Sequence, residues 1–356
     1  MAKHLRDGSS LKTQNSRTGQ AISEKDYPYS DYSTSRIEWS DEDFIFSGEH
    51  LPIEISRGCI FRCNFCANPA FKRKGELDKE SKVLRYELER NYERFKTTGY
   101  MFCDDTYNDT IAKVREYHEV ISKLPFNLEW TGYGRADAIK RHPEMAQLMA
   151  ESGLKAMLIG IETLHPIAAK GVGKGLHPNV LKDTLYYMKD VWGDSVTITG
   201  SFIVGLPGEP EESIWETVEW LNTKGCPVDE AIFSPLNIRA PTDNENSPMS
   251  KISMDPARYG YSLISSDLGK GISSHGPAWE NEFMHKARAE ELARSAQQSC
   301  QDSQPIGNWA VYSRLRSLGY QEHEFKGKSS FDENFLLDAQ NRKDIMMQNY
   351  YNKLME

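Results

Sequence analysis

The chain has 356 residues, of which 38% are hydrophobic and 27% charged, a balance typical of a globular protein with a sizeable core. No apolar run approaches the roughly 20 residues of a membrane-spanning helix and the polar N-terminus does not resemble a signal peptide, so we expect a cytoplasmic protein without a membrane partner. The formal net charge of −9 argues against a nucleic-acid partner, because phosphates favour clustered Lys and Arg, although a local basic run such as 72–74 is still compatible with one.

The first 47 residues are predicted to form a flexible leader, because they are polar and show no sustained hydrophobic period. From residue 51 onward, short β-type runs alternate with stretches that have helical spacing of apolar residues. The predicted strands are 51–57, 100–104, 128–133, 155–161, 196–204 and 230–236. The predicted helices between them are 79–96, 110–123, 143–153, 178–192 and 211–224.

Six strands separated by five helices predict consecutive βα units and an α/β fold with a parallel sheet. A partial (β/α)6 barrel and an open doubly wound sheet both satisfy this pattern, and we predict the barrel for residues 48–247. Beyond residue 248 no further strand is predicted. Residues 280–298, 309–317 and 331–354 are predicted helices of a smaller, mainly helical C-terminal region, 248–356, which we expect to close over the barrel mouth. The Pro-, Ser- and Asp-rich segment 237–270 is the predicted linker.

Three of the six cysteines, Cys59, Cys63 and Cys66, lie within eight residues directly after the first predicted strand. The other three are far apart in the sequence, so the cysteines do not form a disulfide framework and the cluster indicates a metal site. Thiolates at C-x3-C-x2-C spacing can hold three irons of a cubane and leave the fourth iron open. The alternative is structural zinc, which favours four ligands in two pairs, and no second pair follows in the sequence.

With Phe65 as the aromatic residue before the last cysteine, this motif resembles the signature of the radical S-adenosylmethionine (SAM) superfamily. The resemblance implies a 4Fe-4S cluster whose open iron is chelated by the amino and carboxylate groups of SAM. An electron from the cluster would break the sulfur–carbon bond of SAM and give a 5'-deoxyadenosyl radical. The resemblance also implies a substrate, which the sequence does not identify, and an electron donor of the flavodoxin or ferredoxin type.

Two acidic residues and an arginine at the ends of the second and third strands extend the resemblance. Asp104 and Asp105 match the positions where the family surrounds the methionine amino group, although helix capping is the alternative and suits Asp109 better than Asp104. Arg135 follows the third strand. It could bind the methionine carboxylate or a substrate anion, or form a structural salt bridge with Asp137 or another neighbour.

The fourth and fifth strands end in further motifs of this family. Glu162 lies in a Gly-Ile-Glu-Thr run similar to the family's G-x-E-[ST], in which the acidic side chain binds ribose hydroxyls; a surface ion pair is the alternative. Ser201 belongs to a polar face of the fifth strand that would line a cavity. Leu206 lies in a Gly-Leu-Pro-Gly-Glu element that resembles the family's adenine-packing turn. The nearby run 171–175 is not a phosphate loop, because Lys174 is followed by Gly rather than Ser or Thr.

The resemblance spans roughly residues 52–236 and is closest to the catalytic core of cobalamin-type radical SAM enzymes and of methylthiotransferases. Only 58 residues precede Cys59, too few for the N-terminal domain of the former, and they contain none of the extra cysteines of the latter. We therefore expect hydrogen abstraction from an unidentified substrate, with no residue yet assigned to the substrate's own chemistry.

Two alternatives to hydrogen abstraction remain open. One is a methyl- or methylthio-transferase that takes missing parts from a partner or from Cys103, Cys226 and Cys300. The other is a non-catalytic metal-binding protein. The residues predicted at the strand ends favour an enzyme, because simple metal binding does not require Glu162 or the Gly-Leu-Pro-Gly turn.

Overall fold

The computed structural model describes residues 32–67, 77–174, 176–239, 249–264, 277–301, 308–326, 328 and 332–355. The predicted leader up to residue 31, the basic run 72–74 and much of the predicted linker lie outside these residues. The strands are β1 Leu51–Ile53, β2 Ser56–Arg57, β3 Leu77–Asp78, β4 Gly99–Phe102, β5 Glu129–Gly134, β6 Leu154–Glu162, β7 Thr197–Val204, β8 Glu230–Pro235, β9 Ser262–Leu263 and β10 Trp279–Glu280. The helices are α1 Ser81–Phe95, α2 Ile111–Ser122, α3 Ala136–Arg141, α4 Glu144–Glu151, α5 Pro166–Val172, α6 Pro178–Trp192, α7 Glu211–Leu221, α8 Lys251–Met254, α9 Lys286–Gln301, α10 Tyr312–Ser317, α11 Glu322–Phe325 and α12 Glu333–Met355.

Six parallel strands form the main sheet in the order β1-β4-β5-β6-β7-β8. Each strand of this sheet pairs with the sheet strand that follows it along the chain, so the order never reverses; β2 and β3, which lie between β1 and β4, form a separate antiparallel pair. Right-handed crossovers in such a sequential sheet place the helices that connect its strands on one face, whereas a doubly wound sheet needs a reversal of strand order. The partial barrel is therefore confirmed, and the end of such a barrel that builds active sites is at the carboxyl ends of its strands.

The core lies between the outer face of the sheet and the helices. Along β6, Met157, Ile159 and Ile161 are buried, while the intervening Leu158 and Gly160 on the inner face are only partly buried. On the helix side, α1, α2, α4, α6 and α7 contribute apolar residues at helical spacing to the same cluster. Because complete burial of each large apolar side chain contributes about 1.5–3 kcal/mol, this layer fixes the strand ends on which the site is built.

Two helix ends show how single residues fix the turns beside the sheet. Gly153, after α4, has a φ of 89°, and a Cβ atom there would lie 1.8 Å from the Leu128 carbonyl oxygen, so this turn requires glycine. The N-cap of α2 is Thr110, whose hydroxyl accepts from the Lys113 amide at 3.2 Å. The preference for Asp109 as the capping residue is therefore wrong.

The region after β8 is partly built into the barrel. The helix α9 packs on β7 and β8, and its buried residues belong to the same apolar cluster as the sheet. The expectation of no further strands is wrong, because β9 and β10 form a short antiparallel pair. These strands have two residues each, too few to show alternation in the sequence. The division of the chain at residue 247 stays a prediction.

Residues 308–326 cover the amino end of the barrel, opposite the carboxyl ends of the strands. Arg316 contacts Glu129, the first residue of β5, at 3.0 Å, and Asn308 donates to Glu230, the first residue of β8, at 2.7 Å. For these residues the expected closure over the barrel mouth is wrong. Within the described part of the chain, no helix combines the length and the apolar character needed to span a membrane.

Candidate cofactor site at the carboxyl end of the barrel

A cavity of about 170 Å³ lies at the carboxyl ends of the strands, next to the cysteine loop. It brings together all three cysteines of the motif and most of the other residues singled out in the sequence. The lining residues are Cys59, Phe61, Cys63, Phe65, Cys66, Asp105, Thr106, Tyr133, Gly134, Arg135, Leu158, Gly160, Glu162, Lys174 and Ser201. Of the residues predicted to bind the cofactors, only Asp104 and Leu206 are not among them.

The cysteine loop is fastened at Asn64. Its amide donates to the Val172 carbonyl oxygen at 2.9 Å and its side-chain Nδ2 donates to the Gly171 carbonyl oxygen at 2.8 Å, at the end of α5. On the other side, the Ile252 amide donates to the Asn64 carbonyl oxygen at 3.0 Å, and Lys251 Nζ donates to Asn64 Oδ1 at 3.0 Å. The loop is thus held between α5 and α8, which fixes the backbone between Cys63 and Cys66.

The three thiols have the chemistry that an iron–sulfur cluster requires. Cys63 is buried, Cys59 and Cys66 are partly buried, and the Cys59 thiol lies 3.5 Å from the Thr106 hydroxyl. Among the described residues, no three His, Cys, Asp or Glu side chains are gathered to hold a single metal ion. The cysteines of a cubane each bind a different iron, so they need to surround a shared volume rather than meet at one point. Three thiols around one cavity fit such a group.

Arg135 lies against the cysteine loop rather than in open space. Its Nη1 donates to Cys63 Sγ at 3.3 Å, and its guanidinium carbon lies 3.8 Å from the centre of the Phe61 ring. Its Nε and Nη2 each donate to an oxygen of Asp137 at 2.8 Å. This bidentate pair holds the pKa of Asp137 below its usual value, although burial acts in the opposite direction. The salt bridge that the sequence offered as an alternative is present, together with a contact to a cysteine that the sequence did not suggest.

Glu162 is aimed into the cavity by an irregular backbone. Its φ of 68° lies in the left-handed region, and the register between β6 and β7 shifts between Gly160 and Glu162. Its carboxylate pairs with Lys174 at 3.1 Å, and Lys174 also donates to the Gly160 carbonyl oxygen at 2.7 Å. Left-handed geometry at a non-glycine residue is unfavourable and is often found at functional sites.

Lys174 lines the cavity but was not identified from the sequence as a site residue. It lies 12 positions after Glu162, beyond helix α5, so no local spacing links the two. The available signal was physical: a buried carboxylate needs a cationic partner. Nothing in the sequence distinguishes Lys174 from the other lysines as that partner.

Asp104 does not line the cavity; its carboxylate instead holds the backbone at the start of β2. It accepts from the backbone amide and the hydroxyl of Ser56 and, at 3.4 Å, from the Ile55 amide. Burial raises its pKa to about 6, against the opposing effect of Lys113. Lys113 itself pairs with the buried Asp109 at 2.9 Å and donates to the Thr106 carbonyl oxygen at 2.8 Å. The role of Asp104 toward SAM stays a prediction, whereas Asp105 does line the cavity.

Leu206 is fully buried behind the cavity in the turn after β7. The turn is tied to β6 by Glu209, which accepts from the Thr163 hydroxyl and, at 3.3 Å, from the Leu206 amide. Burial raises the pKa of Glu209 to about 7. Ser201, by contrast, lines the cavity. The apolar residues on the opposite face of β7, Ile198, Phe202 and Val204, are buried, as the alternation predicts.

Comparison with known proteins relates this chain to one family. Residues 53–221 match the model described as the Radical SAM superfamily. Bacteriochlorophyllide d C-12(1)-methyltransferase of Chlorobaculum tepidum is 27% identical over 173 residues, which is 48% of this chain and 37% of that protein. The ribosomal protein methylthiotransferase RimO of Nitratiruptor sp. is 25% identical over 238 residues, 64% of this chain and 51% of that protein. The chain thus spans between about a third and a half of these curated relatives.

Two solved structures share the fold at low sequence identity. One is the radical SAM methyltransferase TsrM from Kitasatospora setae, with tryptophan and a SAM analogue bound. It gives a TM-score of 0.56 at 16% identity, over 86% of this chain and 62% of that one. The other is the cobalamin-dependent radical enzyme OxsB, with aqua-cobalamin and SAM bound. It gives a TM-score of 0.52 at 15% identity, over 86% of this chain and 55% of that one.

Proposed function

The chain contains a radical SAM domain, residues 53–221, and from this premise we propose that Cys59, Cys63 and Cys66 hold the 4Fe-4S cluster that the family uses. We further propose that the protein cleaves SAM reductively and abstracts hydrogen from a substrate. The observation that carries the proposal is that all three thiols and the predicted SAM contacts Glu162 and Asp105 line one cavity.

When bound, the cluster would supply the electron that breaks the sulfur–carbon bond of SAM, leaving methionine and a 5'-deoxyadenosyl radical. The residues of the chain would bind and orient SAM for this step. Glu162, held by Lys174, would accept hydrogen bonds from the ribose hydroxyls, and Asp105 would attract the methionine ammonium group. Phe65 and Leu158 give the cavity an apolar wall, which would limit the access of water to bound SAM. A one-electron donor of the flavodoxin or ferredoxin type would be the reductant.

The first test is the metal content of the anaerobically reconstituted protein. We expect about four iron and four sulfide per chain, because three thiolates and SAM complete a cubane site. Alanine at Cys59, Cys63 or Cys66 should abolish the visible absorption of the cluster. Alanine at Cys103, Cys226 or Cys300 is the matched control and should leave it intact. Stoichiometric zinc in a protein that cannot take up iron and sulfide would contradict the proposal.

The second test identifies the product formed from SAM after reduction with dithionite. We expect 5'-deoxyadenosine, separated by chromatography, from the native chain and none from Cys63→Ala. This outcome requires only the cluster and a bound SAM molecule. A reduced enzyme that holds its cluster and forms no 5'-deoxyadenosine would contradict hydrogen abstraction.

A second candidate function is methyl transfer, and the comparisons favour it specifically. The methyltransferase of Chlorobaculum tepidum and TsrM both carry that activity in their names. The same chromatography separates the two functions, because methyl transfer yields S-adenosylhomocysteine. The related proteins are named for tetrapyrrole, hopanoid and ribosomal protein substrates, so their names do not converge on one substrate class.

A further inference from the structure

The guanidinium group of Arg135 is fixed at the cysteine loop by contacts on several sides. One nitrogen donates to Cys63 Sγ at 3.3 Å, two others are occupied by Asp137 at 2.8 Å, and the Phe61 ring lies 3.8 Å from its central carbon. The residue as a whole is only 7% exposed. An arginine side chain normally has considerable rotational freedom. Here the contacts remove that freedom and hold the positive charge next to a sulfur atom.

We propose that Arg135 raises the reduction potential of the cluster by donating a hydrogen bond to Cys63 Sγ. Arg135 thus acts on electron transfer through Cys63, as a positioning residue. The inference rests on the proposed function, because it requires a cluster on Cys63. In the step concerned, one electron passes from a low-potential one-electron donor to the iron–sulfur core. No bond forms or breaks, no proton moves, and the site gains one negative charge.

The direction of the effect follows from electrostatics. A fixed cation stabilises the more negative, reduced state more than the oxidised state, and hydrogen bonds to the cluster sulfurs act in the same direction. The interaction is weakly screened because Arg135 is buried. Asp137 keeps the guanidinium in place and partly offsets its charge, so the two residues set the potential together.

Charges of alternating sign continue from this pair across the cavity. Lys174 contributes to the lowered pKa of Asp137, and Lys174 in turn pairs with Glu162 at 3.1 Å. Within this series, Arg135 is the cation in contact with a motif cysteine. A role as a clamp for the SAM carboxylate is a different hypothesis, because a clamp would change the affinity for SAM and leave the potential of the SAM-free cluster unchanged.

The experiment is a redox titration of the reconstituted, SAM-free protein, followed by the electron paramagnetic resonance signal of the reduced cluster. Arg135→Leu should lower the reduced-to-oxidised ratio at a fixed applied potential about tenfold, equivalent to 59 mV for one electron. Arg135→Lys keeps a cation but loses the planar guanidinium group, so its reduced-to-oxidised ratio should lie between those of the native protein and Arg135→Leu. Arg316→Leu removes a partly buried, carboxylate-paired arginine at the opposite end of the barrel and should leave the potential unchanged.

Asp137→Asn provides an independent measurement with the opposite sign. Removal of this negative charge should raise the potential, whereas structural damage to the loop gives no reason for opposite shifts. If Arg135→Leu does not fold, Arg135→Lys and Asp137→Asn still test the proposal. An Arg135→Leu protein with normal iron content and an unchanged potential would overturn it, as would a fall in potential in Asp137→Asn. Failure of the native chain to assemble any cluster would instead overturn the proposed function.

Discussion

Glu162 combines two features that are unfavourable unless the site needs them: a left-handed backbone and a buried carboxylate. We predict that Glu162→Ala keeps the cluster but weakens SAM binding by about 1.5–3 kcal/mol, the scale of a hydrogen bond to a charged group. Glu162→Gln keeps the shape and loses the charge, so its loss should be smaller. Isothermal titration calorimetry measures both. An unchanged dissociation constant for SAM in Glu162→Ala would show that Glu162 forms only a structural ion pair with Lys174.

Glu209 gives the fold a predictable pH dependence. Burial raises its pKa to about 7, above the usual value of 4.5 for an unfolded chain, so the folded protein binds more protons between these values. Stability should therefore fall as the pH rises from about 4.5 to about 7. Glu209→Gln removes this contribution, and the native-minus-variant difference in unfolding free energy should change by about 1–3 kcal/mol between pH 5 and pH 8. Urea denaturation at both values measures it, and a pH-independent difference would contradict the raised pKa.

At the scale of elements, the long strands and helices were predicted well because each spans enough residues to show its hydrophobic period. The strand predicted at 51–57 is instead two, β1 and β2, because Asp104 draws the amides of Ile55 and Ser56 away from β4. This contact joins residues about 50 positions apart, and no local pattern encodes it. The same limit explains why the sequence indicated Glu162 but not Lys174. The short helices α3 and α5 were missed because six or seven residues do not establish a period.

The cysteine loop depends on elements distant in sequence, and Asn64 is the residue that joins them. Asn64→Ala removes the side-chain hydrogen bonds to Gly171 and from Lys251 but leaves the backbone hydrogen bonds in place. Each hydrogen bond contributes about 1 kcal/mol to the stability of the closed loop. Without these two bonds the loop should open more often, and the protein should lose iron faster to a chelator. Asn222→Ala, which removes a hydrogen bond to Ser299 away from the site, is the control. Equal rates of iron release from the native chain and from Asn64→Ala would show that the backbone contacts alone hold the loop.

At the scale of the whole molecule, the segment that covers the amino end of the barrel also reaches the cavity from below. The ring of Trp309 packs on that of Tyr133, with their centroids 4.5 Å apart, and Tyr133 lines the cavity. Residues 308–326 therefore support one wall of the site through this aromatic contact. Such contacts contribute about 0.5–1.5 kcal/mol beyond the area they bury.

This connection predicts that Trp309→Ala weakens SAM binding several-fold, because Tyr133 loses the ring that supports it. Trp309→Phe retains an aromatic ring and should bind SAM with nearly the native affinity. The control is Trp220→Ala, which removes a similarly half-buried tryptophan that packs under Lys182 on the outer helices. Both alanine variants should lose stability, but only the first should lose affinity for SAM. Calorimetry on cluster-loaded protein separates the two effects. If both variants bound SAM as the native chain does, residues 308–326 would stabilise the barrel without shaping the cavity.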